Sequence, residues 1–311
     1  MRKKTKYQAG EFQWSFLLPQ YWGIWMGIVL LMLLAILPWA IQYRLAHFLG
    51  NLAFKQLKSR RKTTLRNLEV CFPEWSSEQR QENARQVFVD QMLGIFETLN
   101  AWYCPQWFEN RMTIQGLEHL KQAQENGQGV LLLGTHSTLL DAGGYLCSQY
   151  LTLGVVYRPQ NNPLLDMLIY RCRATIYTQQ IDHDDMRGLI RSLKEGQAIW
   201  YSPDQDFGLK QGIMAPFFGV PAATVTAHRR LLKMAKAVAV PLYFYRTGDI
   251  KDPRYQVLIE PIVASIPSDS ELDDAILVNK IIENQLRIAP TQYMWFHRRF
   301  KTRPDGYDEI Y

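Results

Sequence analysis

A histidine and an aspartate five residues apart directly follow a short apolar run. His136 and Asp141 lie in GTHSTLLD, after the segment GVLLL. If a helix opens near His136, Asp141 lies about one and a half turns further on, and its carboxylate can reach back to the imidazole. A carboxylate on one ring nitrogen fixes the tautomer and raises the basicity of the other. The pattern therefore predicts His136 as a general base and Asp141 as its orienting partner. Since no G-x-S-x-G serine accompanies them, the base would act on a substrate hydroxyl.

Arginines follow the next apolar run. Arg158 lies in YRP after LGVV, and Arg171 and Arg173 lie in the predicted helix that follows. Guanidinium groups after a strand suit bidentate contacts to phosphate. The alternative is that these arginines pair with nearby aspartates at the surface, and the residues alone leave both readings open.

A third loop carries two acids, and a separate segment carries a possible ligand cluster. Asp204 and Asp206 lie in SPDQDFG after AIWY. They could bind a metal, but we favour a role in holding an arginine or building an Asx-turn, because no other oxygen-rich cluster supports a metal. His183, Asp184 and Asp185 precede a helical run, where acids are natural first-turn residues. We therefore expect no metal site.

Basic residues also close the chain. His297, Arg298 and Arg299 follow Trp295 and Phe296. They could contact phosphate or a lipid headgroup, or form a basic tail that is packed by its aromatic neighbours.

Strand-like and helix-like segments alternate through the body of the chain. Ser76 and Gln79 form a capping-box pattern ahead of a long helical run. The pattern predicts an α/β fold in which a mixed central sheet is flanked by helices on both faces, with the chemistry in loops after the strands. The predicted strands are 127–136, 153–159, 237–247 and 255–263, together with 198–206, which is predicted as a strand that runs into a loop; the later helices are 163–174, 188–196 and 272–288.

The charge is concentrated at the N-terminus. The chain of 311 residues has a net charge of +6 and is 47% hydrophobic, which excludes a disordered chain. Residues 1–66 contain 11 basic residues and one acid, a net +10, so the remainder carries −4. The second basic cluster, 55–66, suits anionic lipid headgroups. Its alternative is a solvated helix face.

An uncharged apolar stretch lies within this basic arm. Residues 22–41 read WGIWMGIVLLMLLAILPWAI, with aromatic residues at both ends and Pro38 near the end. The length and flanks favour a membrane-anchoring helix over a signal peptide or a core helix. Because basic residues flank both ends, spanning and shallow insertion both stay open. We predict an anchor over 1–45 and a catalytic domain over 46–311.

The cysteines indicate a reducing compartment. Cys71, Cys104, Cys147 and Cys172 show no CxxC pairing. Scattered cysteines of this kind are typical of reduced thiols, so we expect a cytoplasmic body and no zinc site.

Several of these motifs occur together in one known family. The apolar N-terminus, the HxxxxD pattern, YRP with NNPLLD, IWYSPDQD and the closing WFHRRFK resemble the late lipid A acyltransferases, within the glycerolipid acyltransferase superfamily. The resemblance implies acyl transfer from acyl carrier protein to a hydroxyl of a hydroxyacyl chain on a lipid A precursor. It implies catalytic roles for His136, Asp141, Arg173 and Asp204. We add four candidate substrate-binding residues: Arg158, Arg171, Arg298 and Arg299.

The resemblance also sets the expected surroundings. The partners would be acyl carrier protein, the lipid A precursor and inner-membrane phospholipid, without nucleic acid and without a cofactor. The body would lie on the cytoplasmic side of the bacterial inner membrane. Two alternatives stay open: an acyltransferase for a glycerophosphate or another glycolipid, and a non-catalytic membrane lipid-binding protein.

Overall fold

The N-terminal apolar stretch forms two helices. A computed structural model describes residues 10–311, so Arg2, Lys3, Lys4 and Lys6 of the basic arm lie outside the described residues. Two short 3₁₀ turns precede helices α1 (Trp22–Ala35) and α2 (Trp39–Gln56). The chain leaves the helical path before Pro38, whose ψ is 141°. The proline ring disfavours helical geometry at the preceding residue and removes a backbone donor, so the apolar text cannot continue as one helix.

The predicted membrane anchor is not confirmed by this arrangement. Among residues 10–311, none of the helices combines the length and the apolar character needed to cross a bilayer. The predicted boundary between residues 45 and 46 falls inside α2. Membrane anchoring and this division into domains stay predictions.

Two more helices lead into the sheet, α3 (Lys58–Cys71) and α4 (Ser77–Tyr103). The predicted capping box at the start of α4 is confirmed. Ser76 Oγ accepts from the Gln79 amide at 3.2 Å, and Gln79 Oε1 accepts from the Ser76 amide at 2.8 Å. These bonds satisfy backbone donors that the first helical turn leaves without intrahelical partners.

The remaining chain alternates between strands and helices. The strands are β1 (Met112–Gln115), β2 (Val130–Leu133), β3 (Leu153–Tyr157), β4 (Gln179–Asp182), β5 (Ala198–Tyr201), β6 (Gly212–Phe217), β7 (Val220–Val225), β8 (Val238–Thr247) and β9 (Arg254–Ile259). The helices are α5 (Leu117–Glu125), α6 (Leu140–Ser148), α7 (Pro163–Arg173), α8 (Met186–Lys194), α9 (Ala227–Ala235) and α10 (Glu271–Ile288). All five predicted strands are confirmed, whereas β1, β4 and the β6–β7 hairpin were not predicted.

The central sheet is mixed, as predicted. Its seven strands run in the order β1-β9-β8-β2-β5-β3-β4. Strands β8, β2, β5, β3 and β4 are parallel to one another, while β9 pairs antiparallel with β8 and parallel with β1. Strands β6 and β7 form a separate antiparallel hairpin.

Helices cover both faces of this sheet. Leu131, Leu133 and Ile199 join a core cluster with side chains of α3, α8, α9 and α10. Val130 and Leu132 join a second cluster with side chains of α5 and α6. The central strands are buried on both faces, which explains why their sequence is continuously apolar rather than alternating between apolar and polar residues.

The pairing of β2 with β5 brings two of the predicted loops together. The strands are parallel neighbours, and Leu133 is in register with Tyr201. His136 and Asp204 each lie three residues beyond these paired positions. Parallel strands end at the same edge of a sheet, so the two side chains emerge side by side.

Candidate active site

An imidazole and a buried carboxylate meet at the carboxyl ends of β2 and β5. His136 Nδ1 lies 2.6 Å from Asp204 Oδ1, and the His136 backbone amide donates to Asp204 Oδ2 at 2.9 Å. The Asp204 side chain is 0% exposed, whereas that of His136 retains 28% of its exposure. A carboxylate only accepts hydrogen bonds, so Nδ1 carries the proton and Nε2 keeps its lone pair. The accessible imidazole is therefore prepared to take a proton from a substrate.

This arrangement corrects the predicted partner of the histidine. Helix α6 begins at Leu140, so His136 lies in an irregular loop and the helical spacing assumed for His136 and Asp141 does not apply. The carboxylate of Asp141 instead accepts two bonds from Arg173, from Nε at 2.9 Å and from Nη2 at 3.1 Å. The orienting carboxylate of the imidazole is thus Asp204, and Asp141 holds an arginine.

The pair also sets the proton affinity of the imidazole. Burial alone would lower the pKa of His136, but the charge and hydrogen bond of Asp204 outweigh it and raise that pKa above the usual value. Burial would raise the pKa of Asp204, yet the charge of His136 and its ring and backbone hydrogen bonds lower it to about 2. Asp204 therefore stays ionised, and the imidazole is a stronger base than a solvated histidine.

Contacts with the segment after α10 hold the histidine loop in place. The backbone amide of Thr138 donates to the Gln292 carbonyl at 2.9 Å, and the amide of Met294 donates to the His136 carbonyl at 3.0 Å. Gly134 turns under the ring of Trp200, where an added Cβ would lie only 1.9 Å from a ring carbon. The loop path thus requires glycine at this position.

A buried ionic network joins the segment after α10 to β8 and α4. Arg246 on β8 donates to Glu97 at 2.7 Å and to Asp90 at 2.9 Å, both carboxylates on α4. The backbone of Arg246 exchanges hydrogen bonds with the Gln292 side chain, and Tyr255 donates to Glu97. None of these residues is among the predicted site residues. The available signal was two acids one heptad apart within an apolar helix, since buried charges require partners.

The other predicted site residues separate into surface and structural groups. Asp206 accepts from the Gly208 amide and from Thr302, so it builds a turn and fixes the C-terminal segment. Arg158 and Arg298 are exposed. Arg171 donates to the Gly10 carbonyl at 2.8 Å. Direct roles of Arg158, Arg171 and Arg298 in substrate binding stay predictions.

Arg299 requires a correction. It is 1% exposed and donates to the Ala223 carbonyl, Thr224 and Asn279. Arg299 therefore joins the β6–β7 hairpin to α10 and does not present its charge to a headgroup. Of the two readings left open for the C-terminal segment, the packed one describes this residue.

A second histidine, in this C-terminal segment, lies beside His136. The ring centroids of His297 and His136 are 6.1 Å apart. The candidate metal-ligand cluster lies in another part of the protein. It is formed by Asp182, His183 and Asp184, whose side chains are all exposed. Asp185 is the N-cap of α8 and accepts from the Gly188 amide, whereas the first turn of α8 itself contains no acid, so the predicted first-turn role is wrong by one position.

Comparison with known proteins gives consistent matches over almost the whole chain. The profile of the family described as bacterial lipid A biosynthesis acyltransferase matches residues 9–302. The lipid A biosynthesis lauroyltransferase of Escherichia coli K12 is 38% identical over 97% of this chain and 98% of its own. The palmitoleoyltransferase of the same strain is 35% identical over the same shares. The myristoyltransferase is 28% identical over 98% of this chain and 95% of its own.

Proposed function

The chain belongs to the bacterial lipid A biosynthesis acyltransferase family and is an acyltransferase of lipid A biosynthesis, and we propose that it transfers a fatty acyl chain from acyl carrier protein to a hydroxyl of a hydroxyacyl chain on a lipid A precursor. The observation that carries the mechanism is the pairing of His136 Nδ1 with Asp204, which leaves Nε2 free to accept a proton. A general base of this kind is what an acceptor hydroxyl needs when it attacks a thioester.

Each proposed step uses groups described above. His136 Nε2 takes the hydroxyl proton while the oxygen attacks the thioester carbonyl carbon, and Asp204 stabilises the resulting imidazolium. When the intermediate collapses, the C–S bond breaks and the protonated imidazole returns a proton to the departing sulfur. The products are an ester on the acceptor and a free carrier thiol.

The second ion pair is proposed to orient the acceptor. Arg173 uses Nε and Nη2 to hold Asp141, and its side chain retains 17% of its exposure. Within residues 10–311, Nη1 of Arg173 has no recorded hydrogen-bond partner. We propose that this nitrogen contacts the phosphorylated acceptor, because a guanidinium fixed on one edge presents its other edge with little entropic cost.

Basic side chains near the histidines favour an acidic donor protein. Arg60 of α3 donates to the Phe296 carbonyl at 3.2 Å, next to His297. Arg298, the residue after that histidine, is exposed. Complementary charge of this kind raises the rate of encounter with an acidic partner such as acyl carrier protein.

The test is a reconstituted transfer reaction. We expect mass spectrometry to show one acyl chain added to the lipid A precursor when acyl carrier protein supplies it. Changing Arg60→Glu and Arg298→Glu together is expected to raise KM for the carrier protein by about tenfold or more at low salt, with a smaller effect on an acyl-coenzyme A donor. Arg230→Glu, an exposed charge on α9, is the matched control. A lipid A precursor of unchanged mass would reject the proposed function.

We also propose that the enzyme works on the cytoplasmic side of the bacterial inner membrane. The two 3₁₀ turns, α1 and α2 expose large apolar side chains to solvent, including Trp14 at 81%, Met26 at 70% and Phe48 at 65% exposure. Many exposed apolar side chains on neighbouring segments are typical of an interaction site. Lys55, Lys58, Arg60 and Lys62 follow directly and suit anionic headgroups.

Vesicle binding tests this membrane contact. Leu30 and Leu33 are 56% and 54% exposed on α1, and each buried leucine contributes about 1.5–3 kcal/mol. Leu30→Glu with Leu33→Glu is therefore expected to weaken co-sedimentation with anionic vesicles by roughly 100-fold or more. The matched control is Leu272→Glu with Ile276→Glu, exposed apolar positions on α10. Equal binding by both double variants would contradict a membrane surface on α1.

A further inference from the structure

His297 is the second imidazole of the site and has no role in the steps described so far. Its ring centroid lies 6.1 Å from that of His136, with the ring planes inclined at 57°. It follows Trp295, which is fully buried, and the carbonyls of Trp295 and His297 both accept from the Asn67 side chain. Its backbone is therefore fixed on both sides of the short turn that brings it to the base.

The side chains around the ring assign its tautomer. His297 Nε2 lies 3.1 Å from the side-chain nitrogen of Gln205 and 3.1 Å from the sulfur of Met294. The amide nitrogen can only donate and the thioether can only accept, so Nε2 can make one of these hydrogen bonds but not both. The amide is the stronger partner. With the Gln205 amide in this orientation, Nε2 accepts from it, the Met294 sulfur is in van der Waals contact, and the neutral ring carries its proton on Nδ1.

The Nδ1 edge of the ring is available to a ligand. Within residues 10–311, the side-chain polar contacts of His297, with Gln205 and with Met294, both involve Nε2. Nδ1 is also absent from the fully buried polar atoms that lack a partner. The ring therefore offers one N–H donor that the surrounding protein does not use.

Its surroundings favour the neutral form. Burial, the charge of His136 and that of Arg60 lower the pKa of His297, against the opposite effect of Asp204. A neutral imidazole donates a hydrogen bond without competing for the proton that the base must hold. Neutral histidines polarise carbonyl groups in other enzymes by this means.

We propose that His297 is a second catalytic residue, whose Nδ1–H donates to the thioester carbonyl oxygen as that oxygen becomes an oxyanion. The proposal rests on the proposed acyl transfer. As the acceptor oxygen bonds to the carbonyl carbon and His136 takes its proton, the carbonyl electron pair moves to the oxygen that His297 contacts. When the carbonyl re-forms, the C–S bond breaks, the sulfur takes the proton from His136, and His297 keeps its own.

The shape of the amide side chains provides a test at this position. An asparagine places its amide near Nδ1, whereas a glutamine places its amide near Nε2, and leucine has no donor. We expect His297→Gln and His297→Leu to lower kcat by about 10²–10³-fold, and His297→Asn to keep kcat within about tenfold of the unsubstituted enzyme. KM should change much less than kcat. His183→Leu, at an exposed histidine in another part of the protein, is the matched control.

Two outcomes distinguish this proposal from the proposed function. Both outcomes require that the unsubstituted enzyme transfers acyl chains. If His297→Leu is then as fast as that enzyme, or if His297→Asn is as slow as His297→Leu, the oxyanion role is wrong while the acyltransferase assignment stands. Nitrogen-15 NMR of histidine-labelled protein gives a readout that needs no turnover. We expect a neutral His297 protonated on Nδ1 at pH 7. A cationic ring, or a proton on Nε2, would overturn the proposal even if no acceptor is turned over.

Discussion

Replacing His136 with asparagine is expected to lower kcat for acyl transfer by about 10²–10⁴-fold without unfolding the protein. The asparagine amide can donate to Asp204 from near the position of Nδ1, so the buried carboxylate keeps a partner. The lone pair of Nε2 is lost, and with it the proton acceptor. Initial rates with saturating donor and acceptor, together with a thermal melt, provide the measurement.

Two further variants make this result interpretable. His136→Ala should lose activity and also stability, because it leaves a 0% exposed carboxylate without its ring partner. His183→Asn changes an exposed histidine that pairs with Asp182 and Asp184, and it should behave like the unsubstituted protein. A fully active His136→Asn enzyme would exclude His136 as the base.

The second large effect is expected for Asp204→Asn. Asp204 accepts on two atoms, one from the imidazole Nδ1 and one from the His136 backbone amide. An asparagine has a single acceptor, so one of these donors faces an amide nitrogen. If the backbone bond is kept, the ring must move its proton to Nε2 and can no longer act as a base. We expect kcat to fall by about 10³–10⁴-fold.

The same substitution should change the pH dependence. The pKa of His136 is raised, chiefly by Asp204. Since a proposed base must be neutral to take a proton, kcat/KM should rise with pH through a midpoint above 6.5, the ordinary value. Removing the charge in Asp204→Asn leaves burial as the main influence and should move the midpoint of the residual activity to lower pH.

A matched acid separates this effect from a general change in charge. Asp184 has an 88% exposed side chain, so Asp184→Asn should leave both the rate and the midpoint in place. An Asp204→Asn enzyme whose midpoint stays above 6.5 would show that another group controls the base.

The sequence predicts the fold class and the candidate base His136, but not the carboxylate that pairs with it. Continuous apolar segments predicted β2, β3, β5 and β8, because strands buried on both faces leave no alternation to obscure them. It did not reveal strand order. His136 and Asp204 lie 68 residues apart, and only the adjacency of β2 and β5 brings them together. The nearer acid, Asp141, was therefore assigned to the histidine.

One other error has an equally physical cause. Arg299 has the charge of a surface residue, and only its contacts with Thr224 and Asn279 show that it is structural. For Asp141 and for Arg299 alike, the missing information was a tertiary contact rather than a residue type.

The register of β2 against β5 has a consequence for how the protein acquires activity. His136 and Asp204 each follow a registered pair, Leu133 and Tyr201, by three residues. A slip of one residue would shift β5 along β2 by the rise of one residue, about 3.3 Å. It would also turn the side chains of the shifted strand to the opposite face of the sheet. The imidazole would then lose its carboxylate. Regain of activity after denaturation is therefore a direct report that these two strands have paired correctly, and a collapsed chain with native helix content but misaligned strands would be silent in the assay.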